Sequence, residues 1–88
     1  MKVFLRSAVA KYLERLGVPD KNRIKAALEN LEKEPPEGDI KPIAERKGYF
    51  RLRVGNLRAL YRIEENAILV MSIDPRGQAY KKENRRKK

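Results

Sequence analysis

The stretch that decides the fold is YFRLRVGNLRALY, residues 49–61. In its first half, apolar and polar side chains alternate with a period of two, which is typical of a β-strand that buries one face. Gly55 and Asn56 follow, and such a pair between two strand-like runs predicts a hairpin turn. Residues 57–63 supply a second strand, so the stretch predicts an antiparallel β-hairpin.

A third strand is predicted directly after this hairpin. Residues 64–66 are polar and predict a turn. Residues 67–73 are almost wholly apolar, as in a strand that is buried on both faces. The Asp-Pro-Arg-Gly run at 74–77 is expected to end the sheet, because proline and glycine interrupt regular structure.

Two helices are predicted ahead of the hairpin. Apolar residues recur there at the i, i+3, i+4, i+7 spacing of amphipathic helices. The first helix covers residues 8–16, with Ser7 as its cap and Gly17 as its stop. The second begins at Pro19-Asp20 and runs to Glu34, where two prolines follow.

The remaining segments complete the predicted architecture. Residues 2–5 predict a short opening strand, and residues 35–47 predict a loop that returns Ile40 and Ile43 to the core. A short N-terminal strand, a two-helix hairpin and an antiparallel β-meander, with the helices on one sheet face, make an α+β protein.

Length and composition exclude several classes of function. With 88 residues the chain is one small domain, and it ends in a basic tail at 83–88. Cysteine and histidine are absent, which excludes thiolate metal sites, cysteine nucleophiles and Ser-His-Asp triads. No apolar run approaches the roughly 20 residues of a membrane span. We therefore expect a soluble, cytoplasmic protein without a metal or cofactor.

Positive charge is concentrated in two segments. Lysine and arginine exceed aspartate and glutamate by 10 over the whole chain, and residues 46–62 and 76–88 each carry a net +6. Such confinement favours a polyanionic partner, nucleic acid first and an acidic protein or membrane surface second. The alternative is a solubilising surface with a charged tail.

The predicted hairpin places several of these charges on one surface. If the apolar residues of the first strand meet the helices, Arg51 and Arg53 project from the open face, and Arg58 reaches the same surface from the next strand. Arg76 and Tyr80 can close the group from the end of the sheet. Arginine binds phosphate through two parallel hydrogen bonds, so the cluster suits an RNA backbone. The alternative is a solvated face whose arginines pair with acids, for which the candidates are Glu64, Glu65 and Asp74.

The residues that carry this cluster also resemble a known family. The run from Tyr49 to Tyr61, an apolar strand, and then Pro75-Arg76-Gly77-Gln78-Ala79-Tyr80 are similar to the signature of the RelE toxins, in the RelE/ParE superfamily of type II toxin–antitoxin systems. The order of predicted elements is similar too, so the resemblance covers a RelE-like toxin domain at residues 1–82.

The resemblance implies a ribosome-dependent endoribonuclease that cuts mRNA in the vacant A site and inhibits translation. It also implies a catalytic set in which Arg51 and Arg53 position the RNA and assist proton transfer, while Arg58 stabilises the phosphate. Arg76 would stabilise the transition state or leaving group, and Tyr80 would stack on or orient a base.

The general base is the open question within this set. Family members often carry lysine where this chain has Arg51 and Arg53, and arginine is a poor base because it stays protonated at neutral pH. Neighbouring cations lower the pKa of a tyrosine, so Tyr80 is the preferred base, with stacking on the substrate as its alternative role.

Further contacts and partners are also expected. An acidic or amphipathic segment of a cognate antitoxin would cover the basic surface. The ribosome and mRNA are the other partners, DNA is reached only through the antitoxin, and no membrane is involved. Two other functions stay open, a ParE-like inhibitor of DNA gyrase and a non-catalytic module that binds RNA or the ribosome. The additional candidates for RNA binding are Lys47, Tyr49, Lys81, Lys82, Arg85 and Arg86.

Overall fold

A computed structural model describes residues 1–75 and shows two helices and a five-stranded sheet. The sheet order is β1-β5-β4-β3-β2; β1 lies parallel to β5, and every other neighbouring pair is antiparallel. The predicted α+β class and the order of the predicted elements are confirmed. The elements are β1 (Lys2–Leu5), α1 (Ser7–Arg15), α2 (Val18–Leu31), β2 (Asp39–Pro42), β3 (Tyr49–Val54), β4 (Leu57–Glu64) and β5 (Ala67–Pro75).

The core lies between the helices and one face of the sheet. Helix α1 packs on β5, and α2 packs on β1 and β3. The alternation of β3 is confirmed, since Leu52 is buried among the core residues while Arg51 and Arg53 alternate with it. On the same face the rings of Phe50 and Tyr61 stack with their centroids 5.4 Å apart. The buried core cluster consists of Val9, Leu13, Ile24, Leu28, Leu31, Leu52, Leu57, Ala59, Tyr61, Ile68, Val70 and Ile73.

Strand β2 corrects the prediction of a loop over residues 35–47. Its four residues pair antiparallel with β3, with Asp39 opposite Arg53 and Pro42 opposite Phe50. Four residues that include two charges and a proline carry little strand propensity. The strand forms because it supplies hydrogen-bond partners to β3, while Ile40 packs against the core.

Gly38 fixes the entry of the chain into β2, and its replacement by alanine is expected to destabilise the fold. Its φ is +141°, and an added Cβ would lie 2.9 Å from Cδ1 of Leu52. We expect Gly38→Ala to lower the free energy of unfolding by about 1–3 kcal/mol, measured by urea denaturation. In a Leu52→Ala background the steric part of this loss should disappear. A loss of equal size in both backgrounds would show that Leu52 is not the obstacle.

Strand β5 corrects two further predictions. The strand continues through Asp74 and Pro75, which pair with Arg58 and Leu57, whereas the sequence predicted a break there. A terminal proline is tolerated because a strand end does not need its N–H. Buried and half-buried residues alternate along β5, so it is not buried on both faces, and a register shift against β4 falls between Leu60 and Tyr61.

The helices differ from their predicted bounds by a few residues. Arg6, and not Ser7, is the N-cap of α1, and its side chain makes no capping hydrogen bond. Helix α2 begins at Val18 and ends at Leu31, so the stretch before the prolines lies outside it. Neither helix within residues 1–75 is long and apolar enough to cross a membrane.

Candidate nucleic-acid interface

The sheet face opposite the helices carries a row of cations on three adjacent strands. Because side chains alternate along a strand, every second residue of β2, β3 and β4 projects from this face, and the strand register places these residues side by side. We call this surface the basic face, defined by Lys41, Arg51, Arg53, Arg58 and Arg62.

Two arginines form the centre of the basic face. Arg53 and Arg58 lie directly opposite each other in the β3–β4 hairpin; Arg53 is exposed and Arg58 half-buried. Among residues 1–75, neither has a carboxylate within the 4.0 Å that defines an ion pair. Like charges directly opposite each other destabilise a sheet. An anion bound between the two arginines would relieve their repulsion, so the pair suits an anionic ligand.

Arg51 has an acidic partner that the sequence analysis did not anticipate. Its Nη2 lies 3.6 Å from Oδ1 of Asp39 on β2, and only 15% of its side chain is exposed. Of the acids expected to neutralise the arginines, Glu64 pairs with Arg62 instead. Asp74 lies opposite Arg58 in register but forms no ion pair with it. The surface is thus only partly neutralised within the described residues.

Arg62 is a site residue that the sequence analysis missed. Its Nη1 donates a hydrogen bond of 3.2 Å to the hydroxyl of Tyr49, and its Nη2 lies 3.1 Å from Glu64. The hydrogen bond to Tyr49 and the charge of Glu64 raise the pKa of Arg62. The sequence could have predicted its position, because a two-residue turn at Gly55-Asn56 sets the hairpin register and so places Arg62 opposite Tyr49.

Tyr49 is held from two sides. Its hydroxyl accepts the hydrogen bond from Arg62, and the guanidinium carbon of Arg46 lies 5.0 Å from the centre of its ring. A cation at this distance over an aromatic face is attracted to it. Tyr49 therefore combines contacts within the protein with a place next to Arg51 on the basic face.

One buried apolar residue lies among the cations of the basic face. Leu60 is only 5% exposed although it projects from the same face, directly opposite Arg51. A buried leucine next to charged groups lowers the local dielectric, which strengthens their interaction with an anion.

The structure brings together part of the predicted site. It places Arg51, Arg53 and Arg58 on one surface with Tyr49 at its end, and it leaves Lys47 exposed in the turn between β2 and β3. The other predicted residues lie outside the described range: Arg76, Tyr80, Lys81, Lys82, Arg85 and Arg86.

Solved structures of toxins share this fold. A RelB–RelE antitoxin–toxin complex from Methanococcus jannaschii matches at 24% identity with a TM-score of 0.73, covering 90% of this chain and 96% of that one. A RelE–RelB complex from Pyrococcus horikoshii matches at 25% identity with a TM-score of 0.74, covering 88% of this chain and 96% of that one. The isolated RelE toxin of E. coli matches at 14% identity with a TM-score of 0.72, covering 97% of this chain and 96% of that one.

The sequence itself matches one family over most of its length. Residues 3–80 fit the model of the family described as "ParE toxin of type II toxin-antitoxin system, parDE". Among curated proteins, none shows significant similarity to the sequence. The family match and the shared fold both agree with the RelE/ParE superfamily, which the sequence resembles. The chain is therefore a toxin of a type II toxin–antitoxin system, a member of the ParE toxin family within the RelE/ParE superfamily, with a RelE-like fold.

Proposed function

We propose that this toxin is a ribosome-dependent endoribonuclease that cuts mRNA in the A site and so inhibits translation. The observation that carries the proposal is the opposed pair of Arg53 and Arg58, which has no ion-pair partner among residues 1–75, with Arg51 beside it. Guanidinium groups on neighbouring positions of one sheet face suit the phosphate of an RNA backbone and the extra negative charge of a phosphorane.

The reaction that fits such a face uses the RNA's own 2′-hydroxyl. The 2′-oxygen loses its proton and forms a bond to the adjacent phosphorus, the bond from phosphorus to the 5′-oxygen breaks, and a proton is returned to that oxygen. The products are a 2′,3′-cyclic phosphate and a 5′-hydroxyl. Arg58 stabilises the charge on the phosphate in this scheme, and Arg51 and Arg53 position the strand.

Proton transfer is assigned to residues at the end of the domain. Within the proposal Tyr80 takes the proton from the 2′-hydroxyl or stacks on a base, and Arg76 stabilises the leaving oxygen. The arginines are too weakly basic for the first step. Reliance on the ribosome to orient the 2′-hydroxyl would offset a poor base, because correct orientation alone contributes several kcal/mol.

The proposal extends to domain limits, partners and location. The toxin domain would end near residue 82, and the basic segment 83–88, with Lys81 and Lys82 ahead of it, would track RNA phosphates. The matched RelE proteins from Methanococcus jannaschii and Pyrococcus horikoshii are in complexes with RelB. We propose a cognate antitoxin whose acidic segment covers the basic face, and action in the cytoplasm, where ribosomes translate.

Loss of the acidic neighbour of Arg51 is expected to strengthen RNA binding. Asp39→Asn removes the carboxylate that lies 3.6 Å from Arg51, so affinity for a short single-stranded RNA should rise about two- to fivefold at low salt. Added salt should shrink the gain. Fluorescence anisotropy measures it, and Glu37→Gln is the matched control, because it removes one charge from a carboxylate that is paired with Lys33. An equal gain in both variants would attribute the effect to net charge alone.

A second function has its own supporting observation. The matched family is named for ParE, and ParE-like members are expected to inhibit DNA gyrase without cutting RNA. Such an inhibitor has no need of an arginine face that is suited to phosphate, which is why the nuclease is the first proposal.

Two assays on the same purified protein separate the candidates. The first incubates it with ribosomes that hold mRNA and an empty A site, and the second with gyrase and relaxed plasmid. The nuclease proposal expects cut mRNA and unchanged supercoiling. Intact mRNA with inhibited supercoiling would replace it with the gyrase function. Intact mRNA from a protein that still binds ribosomes would leave a non-catalytic binding module.

A further inference from the structure

The turn between β2 and β3 forms a cavity next to the basic face. The cavity measures 510 Å³, which is within the range of small-molecule sites. Its lining combines two cations, Arg46 and Lys47, with one acid, Glu45. Pro42, Ile43, Ala44, Gly48, Tyr49 and Phe50 complete the lining.

Backbone hydrogen bonds fix the shape of this turn. The N–H of Ile43 donates to the carbonyl of Tyr49 at 2.9 Å, and the N–H of Arg46 donates to the carbonyl of Ile43 at 3.1 Å. The N–H of Tyr49 donates to the carbonyl of Arg46 at 3.1 Å. Arg46 and Tyr49 are therefore positioned by the same small network, and their side chains meet at its edge.

The guanidinium of Arg46 is supported by the ring of Tyr49. Its central carbon lies 5.0 Å from the ring centroid, and Arg62 holds the ring through its hydroxyl at 3.2 Å. A guanidinium group is planar, and unpaired RNA bases stack on arginine planes as they do on aromatic rings.

We propose that Arg46, supported by Tyr49, is a stacking platform for one nucleobase of single-stranded RNA at the end of the basic face. The inference rests on the proposed function, because the base belongs to the strand whose phosphates contact Arg51, Arg53 and Arg58. The apolar and aromatic residues that complete the lining suit a flat base better than a phosphate.

Binding of two RNAs that differ only in their bases tests the platform. The probes are fluorescent pentaadenylate and the same ribose–phosphate backbone without bases. The variants are Arg46→Lys, which keeps the charge and removes the plane, and Arg15→Lys as the matched control on α1. Circular dichroism checks that each variant is folded.

The expected result is specific to the bases. Arg46→Lys should weaken binding of pentaadenylate about tenfold, in line with one lost base stack, and change binding of the abasic backbone less than about twofold, because the charge is kept. Arg15→Lys should change neither. Arg58→Ala, which tests the basic face itself, should weaken binding of both RNAs.

Two results would overturn the platform and leave the basic face intact. In the first, Arg46→Lys binds pentaadenylate as the unmodified protein does; in the second, it weakens both RNAs equally. If the unmodified protein binds neither RNA, the platform and the RNA-binding part of the proposed function fall together.

Discussion

Replacement of Arg58 by alanine is expected to lower the rate of mRNA cleavage on the ribosome by about 10²–10³-fold, the usual effect of removing one donor that stabilises a transition-state oxyanion. Arg58 lies directly opposite Arg53 and has no ion pair among residues 1–75, so its charge is available to a phosphate. Single-turnover cleavage of mRNA in ribosomes with an empty A site measures the rate.

The stability of the same variant separates a catalytic loss from a folding loss. Removing Arg58 relieves the repulsion across the hairpin, so Arg58→Ala should unfold at the same temperature as the unmodified protein or slightly above it. Arg58→Lys keeps the charge but not the bidentate geometry, and its rate should fall between the two. A cleavage rate in Arg58→Ala within about threefold of the original would remove Arg58 from the mechanism.

The second large effect is expected on stability, when a core residue of β3 is truncated. Leu52 is 1% exposed and stands between Arg51 and Arg53 on β3, so its packing also aligns the basic face. Leu52→Ala should lower the free energy of unfolding by about 2–5 kcal/mol, the usual cost of such a cavity. That is a large part of the 5–15 kcal/mol typical of a domain, and urea denaturation measures it.

An exposed apolar residue provides the matched control for Leu52. Val18, at the start of α2, is 66% exposed, so Val18→Ala should change the free energy of unfolding by less than about 0.5 kcal/mol. If Leu52→Ala also lost less than about 1 kcal/mol, Leu52 would not be a core residue of β3, and the orientation of the basic face would be wrong.

Periodicity predicted those parts of the fold in which local pattern and burial agree. The alternation of β3 and the apolar spacing of α1 and α2 each reflect one buried face, which a single segment reveals by itself. The arginine surface followed from the same argument, because fixing Leu52 in the core sends Arg51 and Arg53 to the other face.

The missed features depend on the pairing of separate segments, which the pattern within one segment does not reveal. Strand β2 forms through pairing with β3, and the salt bridge from Asp39 to Arg51 exists only because of that pairing. The parallel pairing of β1 with β5 joins residues more than 60 positions apart, a choice that no local pattern encodes. The pairing of Arg62 with Tyr49 could have been predicted from the sequence, because the hairpin turn alone determines their register.

The most direct test of the proposed nuclease is to map the cut on an mRNA in ribosomes with an empty A site, and to identify its ends. Primer extension should show one strong stop inside the A-site codon. The upstream fragment should end in a 2′,3′-cyclic phosphate, and the downstream fragment should begin with a 5′-hydroxyl. Neither fragment should form without ribosomes or when the A site is filled. Intact mRNA at saturating toxin would contradict the account, as would cleavage that is independent of the ribosome.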